Sequence, residues 1–360
     1  MTTINAERVT LSQLRRYIPI FGPHQTPIIV SEPGVGKTAL LAALQDDMGD
    51  DEWDYIYVDC PSKDYGDVGV NIPVHSSKSL EYYAASLFKL DSPKRKVIML
   101  DEFLKTGKSM RVIFTRLILE KMVGDRALPE GSIVIANSNN ATDGVGDFAQ
   151  AHEGNRVTFF DLAKPKASEW VPWAVRNGAS DIVCSFAMMN ESVFDSYLDE
   201  KSATNPFIFN PKTNNRSFIS PRSLFKADKA YIQNRDKLDE SFLRSSLIGT
   251  LGKSGGELLA SYVSMAKEVV DPKQVFADPD VVQIPSKLAV LYMLMFNAAR
   301  AISIQDELSA FLKFLDRTKS NELTQGVFFT MLANDKSKSK LAYQNARIQK
   351  WMQTNPHLVF

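Results

Sequence analysis

The stretch Ser31-Glu32-Pro33-Gly34-Val35-Gly36-Lys37-Thr38 constrains this chain more than any other, because it joins an apolar run, Pro27 to Val30, to a helical pattern beginning at Thr38. Small residues between a strand and a helix let successive backbone N–H groups converge on one point, and the helix N-terminus adds a dipole that favours an anion there. The segment therefore has the form of a phosphate-binding loop. In that role Lys37 neutralises β- and γ-phosphate oxygens and the Thr38 hydroxyl ligates Mg²⁺. Ser31 stands where the pattern usually has glycine, and it is small enough to do so. The bland alternative, a glycine turn with a chance lysine, fits the strand-to-helix context poorly.

The surrounding chain carries the same message. Four runs, Pro27 to Val30, Tyr55 to Val58, Val97 to Leu100 and Ile133 to Ala136, are rich in β-branched or aromatic residues, and Val157 to Leu162 adds a fifth. The first four are too continuously apolar for half-exposed strands, so each of the four is expected to be buried on both faces. Helical patterns lie between them at Thr38 to Asp46, Leu80 to Leu90 and Ser109 to Met122. In the last, Met110, Ile113, Phe114, Leu117 and Leu119 form an apolar face, with Arg111, Arg116 and Lys121 opposite. Alternating strands and helices predict an α/β fold with a parallel sheet. Beyond Lys164 helical periodicity takes over, with breaks near 205–215, 252–256 and 271–285. The expected division is an α/β core over 1–163, a helical lid over 164–269 and a helical extension over 270–360.

Chemistry concentrates at the ends of the predicted strands. Val97-Ile98-Met99-Leu100 runs into Asp101-Glu102. One acid there can hold Mg²⁺ through water while its neighbour polarises an attacking water, which gives Asp101 and Glu102 those two roles. Such a strand end is a weak signal alone and a strong one when paired with the phosphate loop. The run Ile133 to Ala136 leads into Asn137-Ser138-Asn139-Asn140, where a side-chain amide can orient that water, or where asparagines merely make a turn. Arg156 and Arg222, the latter in Ser220-Pro221-Arg222-Ser223, are candidates for stabilising charge on a transferring phosphoryl group. Composition and spacing do not lift either above an ordinary surface arginine.

Taken together these residues resemble the AAA+ superfamily of P-loop NTPases, and more narrowly its MoxR-like and dynein-related AAA branch. The resemblance runs in order from about residue 10 to 230. It includes Glu32 to Thr38, Leu100-Asp101-Glu102, Leu128-Pro129-Glu130-Gly131, Val134 to Asn139, Asn155-Arg156-Val157, Trp170, Trp173-Ala174 and Ser220 to Leu224. It implies ATP as ligand and substrate with Mg²⁺, and an ATPase that works as a ring, a hexamer with nucleotide sites between subunits. It makes Asn139 the sensor-1 residue, with Asn137 the alternative because Asn140 stands where the family commonly has proline. It makes Arg156 an arginine finger presented to the neighbour's nucleotide and Arg222 the sensor-2 arginine of the lid. The segment Asp64 to Gly69 resembles the branch's insertion after the second strand, which tends to face the pore or substrate. Relatives in this branch remodel protein clients and are often paired with a von Willebrand factor A-domain protein.

Composition bounds the alternatives. The 360 residues include 42 basic and 42 acidic side chains, so no basic excess marks a nucleic-acid partner. A nucleic-acid motor or loader is the rival reading, with Lys94-Arg95-Lys96 and the run Lys336 to Lys340 as its candidate contacts. A scaffold that binds nucleotide and rarely hydrolyses it is a third. His24, His75, His152 and His357 are isolated, without metal-ligand spacing. Cys60 and Cys184 form no paired motif and suit a reducing cytoplasm. No secretory signal or membrane span is expected, and Leu288 to Phe296 is read as a buried helix.

Overall fold

The computed structural model describes residues 8–139, 156–213, 215–318, 322–335 and 337–355. The chain divides into two compact units, Met1–Lys164 and Pro165–Phe360. The first is the expected α/β unit. Its sheet joins β1 (Arg8–Val9), β2 (Thr26–Ser31), β3 (Trp53–Asp59), β6 (Arg95–Asp101), β9 (Ile133–Asn139) and β10 (Val157–Leu162) in the order β1-β10-β2-β9-β6-β3, every pairing parallel. Side chains alternate across a strand, and the two faces divide accordingly. Ile28, Val30, Ile98, Leu100, Val134 and Ala136 pack with Met110, Phe114, Leu117 and Ile118 of α4 (Lys108–Glu120). Ile29, Val97, Met99, Ile133 and Ile135 pack with Leu14 and Ile18 of α1 (Leu11–Phe21) and Leu40 and Leu44 of α2 (Ala39–Met48).

Three expectations are corrected. β3 is not buried on both faces: it lies at the sheet edge, where Tyr55 is half-buried and Tyr57 is 42% exposed. Leu80 to Leu90 do not form an α-helix, and only Ser86–Phe88 make a single 3-10 turn. After a short helix α3 (Tyr65–Val68), β4 (Gly69–Val74) and β5 (Ser79–Ala84) pair antiparallel, with Val70 opposite Tyr83 and Asn71 opposite Tyr82, and Lys78 turns the chain at φ 51°. Cross-strand aromatic and β-branched pairs outweigh the helical spacing of the apolar residues here. Lys121 is not on a solvated face: it ends α4 in the left-handed conformation and donates to the carbonyls of Gly22, Pro23 and Ser132. The hairpin β7 (Met122–Val123) and β8 (Arg126–Ala127) follows it.

The second unit is helical. One hydrophobic cluster gathers Trp170, Phe186, Leu224, Leu247 and Leu259, and another gathers Leu308, Phe311, Phe328 and Trp351. The helix Leu288–Ala301 serves both, giving Tyr292, Met293 and Phe296 to the first and Leu291, Leu294 and Met295 to the second. That double duty accounts for the apolar run from Leu288 to Phe296, since a helix segment covered on both sides has little polar face to keep. The expected break at 252–256 is confined to Gly252, at φ 80°. Gly255 and Gly256 lie inside the helix Lys253–Met265, and a Cβ at Gly256 would stand 2.4 Å from the Ile248 backbone of the helix Glu240–Leu251. Among the described residues no helix is long and apolar enough to cross a membrane.

Candidate functional site

Three strands of the first unit bring their carboxyl ends together. β2, β9 and β6 are adjacent, so the loop leaving Ser31, the amide of Asn139 and the acids Asp101 and Glu102 lie side by side. Ser31 pairs in register with Asn139. In parallel sheets this edge is where ligands are held.

The loop has the geometry that its composition implies. Pro33 and Gly34 form a turn, Gly34 and Gly36 take φ 77° and 118°, and Thr38 leads into α2 with helical dihedrals. The value at Gly36 is one that a side chain would resist. Ser31 and Glu32 are buried, Val35 is 6% exposed, and Lys37 folds back beneath the loop with 6% exposure. Its ammonium donates to Ser31 Oγ at 2.9 Å and to Asn139 Oδ1 at 2.7 Å. Serine at position 31 thus supplies an acceptor to the lysine, which glycine would not.

The acidic end of β6 is joined to the same network. Asn139 Nδ2 donates to Glu102 Oε1 at 2.7 Å, so Lys37, Asn139 and Glu102 form one chain. Lys105 Nζ lies 2.9 Å from Glu102 Oε2. Asp101 is 9% exposed, and the Tyr57 hydroxyl donates to its Oδ2 at 2.5 Å. Asn137 Oδ1 accepts the backbone N–H of Glu102 at 3.3 Å. Of the two asparagines left open by the sequence, Asn139 touches both the loop lysine and the acid, while Asn137 touches the acid's backbone. The hydroxyl of Thr38 and the carboxylate of Asp101 are hard oxygen donors, the set that Mg²⁺ takes.

Arg156 stands apart from this cluster. Arg156 is exposed in the turn before β10, and the register sets Val157 beside Thr26. It therefore lies at the amino end of the sheet, about 17 Å from Ser31 by strand rise alone. Arg222 belongs to the second unit, exposed in the first turn of the helix Pro221–Ala230, whose N-terminus Ser220 caps through Ser223. Sequence reading missed Tyr57, Lys105 and the bond from Asn137. The only signal for Lys105 was its position three residues after Glu102.

The rival basic contacts are engaged elsewhere. Lys96 is fully buried and bonded to Asp54 at 2.7 Å, Arg95 pairs with Glu52 and covers the Trp53 ring, and Lys94 donates to the Asp50 carbonyl. In the second basic run Lys338 donates to the carbonyls of Ala299 and Arg300, while Lys336 lies outside the described residues. Asn140, Asn155, His152 and His357 also lie outside them. Among the described residues no cluster of His, Cys, Asp or Glu suits a metal ion by itself.

No family model matches the chain, and no curated protein matches it. Among solved structures it is similar to Thermotoga maritima RuvB, described as a Holliday junction branch migration motor, at 10% identity and a TM-score of 0.35 over 74% of this chain and 72% of that one. It is similar to NtrX from Brucella abortus at 11% identity and a TM-score of 0.33, over 97% and 68% of the two chains. A candidate ATPase from Cytophaga hutchinsonii gives 10%, 0.30, 95% and 88%. At such identities and scores, the reading of the site rests on its own geometry.

Proposed function

We propose that this chain is an ATP-hydrolysing P-loop motor of the AAA+ type that remodels a macromolecular client as a ring. The observation that carries the reading is the chain of bonds from Lys37 through Asn139 to Glu102, at the carboxyl ends of three adjacent parallel strands. It links the group that meets phosphate to the group that activates water. In this reading Lys37 and the N–H groups from Gly34 to Thr38 hold the β- and γ-phosphates. Thr38 and Asp101 would hold Mg²⁺, which when bound would neutralise phosphate charge. Glu102 takes a proton from the attacking water as its oxygen bonds to the γ-phosphorus, and the bond to the ADP oxygen breaks. Asn139 orients that water, and leaving Lys37 for it is the step by which phosphate binding reaches the base.

The finer assignments are part of the same proposal. Arg156 faces the amino end of its own sheet, which supports a finger acting on a neighbour's nucleotide in a hexamer. Residues 164–269 act as the lid that carries Arg222, with 270–360 as its extension. The hairpin β4–β5, with Val70, Ile72, Leu80 and Tyr83 exposed, is the element suited to a protein client, including a von Willebrand factor A-domain partner. The internal pairing of Lys94, Arg95 and Lys96 counts against these residues as a nucleic-acid surface.

The test is Glu102→Gln, which keeps shape and hydrogen bonding and loses the charge. Nucleotide affinity stays within a factor of about three while turnover falls by about a hundredfold or more. Turnover within a factor of two or three of the parent protein would remove Glu102 from this role. DNA binding at low salt that is lost at high salt would favour the rival motor instead.

A further inference from the structure

Glu102 stands on a backbone that its own preferences oppose. At φ 53° and ψ 34° it is left-handed, a conformation that a residue with a side chain resists. Such a residue persists where its surroundings over-determine it, and these sites concentrate where geometry serves chemistry. The pairing of β6 with β9 ends at Leu100 and Ala136, so the next peptide groups leave the ladder. The Glu102 N–H is then taken up by Asn137 Oδ1 at 3.3 Å. Asn137 is 1% exposed, and its Nδ2 is buried with no hydrogen-bond partner among the described residues. An asparagine amide enclosed in this way loses the solvation of one end while the other holds a backbone N–H. An apolar side chain would avoid that loss.

Alternation along β9 places Asn137 and Asn139 on the same face. The two amides grip one acid from two sides, Asn139 at its carboxylate and Asn137 at its backbone. We infer that Asn137 is a positioning residue, whose side-chain oxygen fixes the left-handed turn from which Glu102 reaches the attacking water. It acts through Glu102, being itself only 1% exposed. The inference rests on Glu102 being the general base.

A double-mutant cycle tests it on the full chain: Asn137→Ala, Glu102→Gln and the double variant, each measured for nucleotide affinity and for single-turnover ATP cleavage. Asn137→Ala leaves affinity within about threefold and lowers cleavage about tenfold or more, as misplacing a catalytic group does. In the Glu102→Gln background the same change costs less than about twofold, because the group it positions has already lost its function. Asn137→Asp, which keeps an acceptor oxygen at the same reach, recovers the greater part of the loss. Should Asn137→Ala fail to fold, as judged by thermal melting, Asn137→Ser takes its place, its hydroxyl being too short to reach the N–H. Equal losses in the two backgrounds, unchanged cleavage in the single variant, or a loss of affinity that matches the loss of cleavage would overturn the inference. Full cleavage by Glu102→Gln alone would instead overturn the assignment of the base, and the positioning role with it.

Discussion

Asp101 has one carboxylate oxygen oriented by the Tyr57 hydroxyl, and that bond decides which way the other faces. Groups that hold a metal ligand in place typically matter about tenfold or more for metal affinity. Tyr57→Phe, a change on a partly exposed ring that leaves packing intact, raises the Mg²⁺ concentration needed for half-maximal ATP turnover about tenfold, with nucleotide affinity nearly unchanged. An unaltered Mg²⁺ titration would show that Tyr57 has no such part. Lys37, Asp101, Glu102 and Asn139 are legible in sequence because each sits at a fixed offset from a strand end that apolar runs reveal. Tyr57 and the bond that Asn137 makes to the Glu102 backbone are not, because these partners depend on β3 lying beside β6 and β6 beside β9, and strand order is a property of the sheet.

The edge strand β3 holds its place partly through charge. Lys96 on β6 has a fully buried side chain, and Asp54 on β3 meets it. Burial alone pushes the Asp54 carboxyl up. The bonds from Lys96 and Ser92 and the attraction of Lys96 and Lys89 outweigh it, and the group titrates below its usual 3.8. A carboxyl lowered in the folded state adds stability that is present above pH 3.8 and is lost as pH falls through the lower folded value. Asp54→Asn therefore unfolds more easily in urea at pH 7, by about 1–2 kcal/mol, because the Lys96 ammonium keeps the Ser92 carbonyl but loses its counter-charge. It also lacks this part of the acid-side decline. Parallel stability curves from pH 7 to 3 for the two proteins would contradict the pairing. The same pair explains why a basic triplet in the sequence is no basic surface. At this scale the buried strands β2, β6 and β9 were plain from their apolar runs. The hairpin β4–β5 was not, because two exposed strands bury too little to leave a clear period.

At the scale of the whole molecule, the distance from Arg156 to Ser31 has a direct consequence for assembly. As the proposed finger, Arg156 at the amino end of its own sheet would meet phosphate in another subunit, so a site shared between chains is expected. Arginine fingers are worth roughly 10³ to 10⁵ in rate, and Arg156→Ala abolishes most turnover while each subunit still binds nucleotide. Mixing Arg156→Ala subunits with Lys37→Ala subunits restores part of the activity, since a Lys37→Ala chain lends its arginine to a neighbour's sound pocket. Absence of recovery in mixed rings confirmed by native mass spectrometry would place the finger elsewhere. All of this depends on the loop from Ser31 to Thr38 holding a triphosphate. Titration of a fluorescent ATP analogue into the parent protein and into Lys37→Ala asks that directly. Saturable, Mg²⁺-supported binding by the parent protein is expected, with a loss of affinity of about a hundredfold or more in the variant, the scale of a charge-assisted phosphate contact. Equal affinity in the two proteins, or no binding by the parent protein, would contradict it.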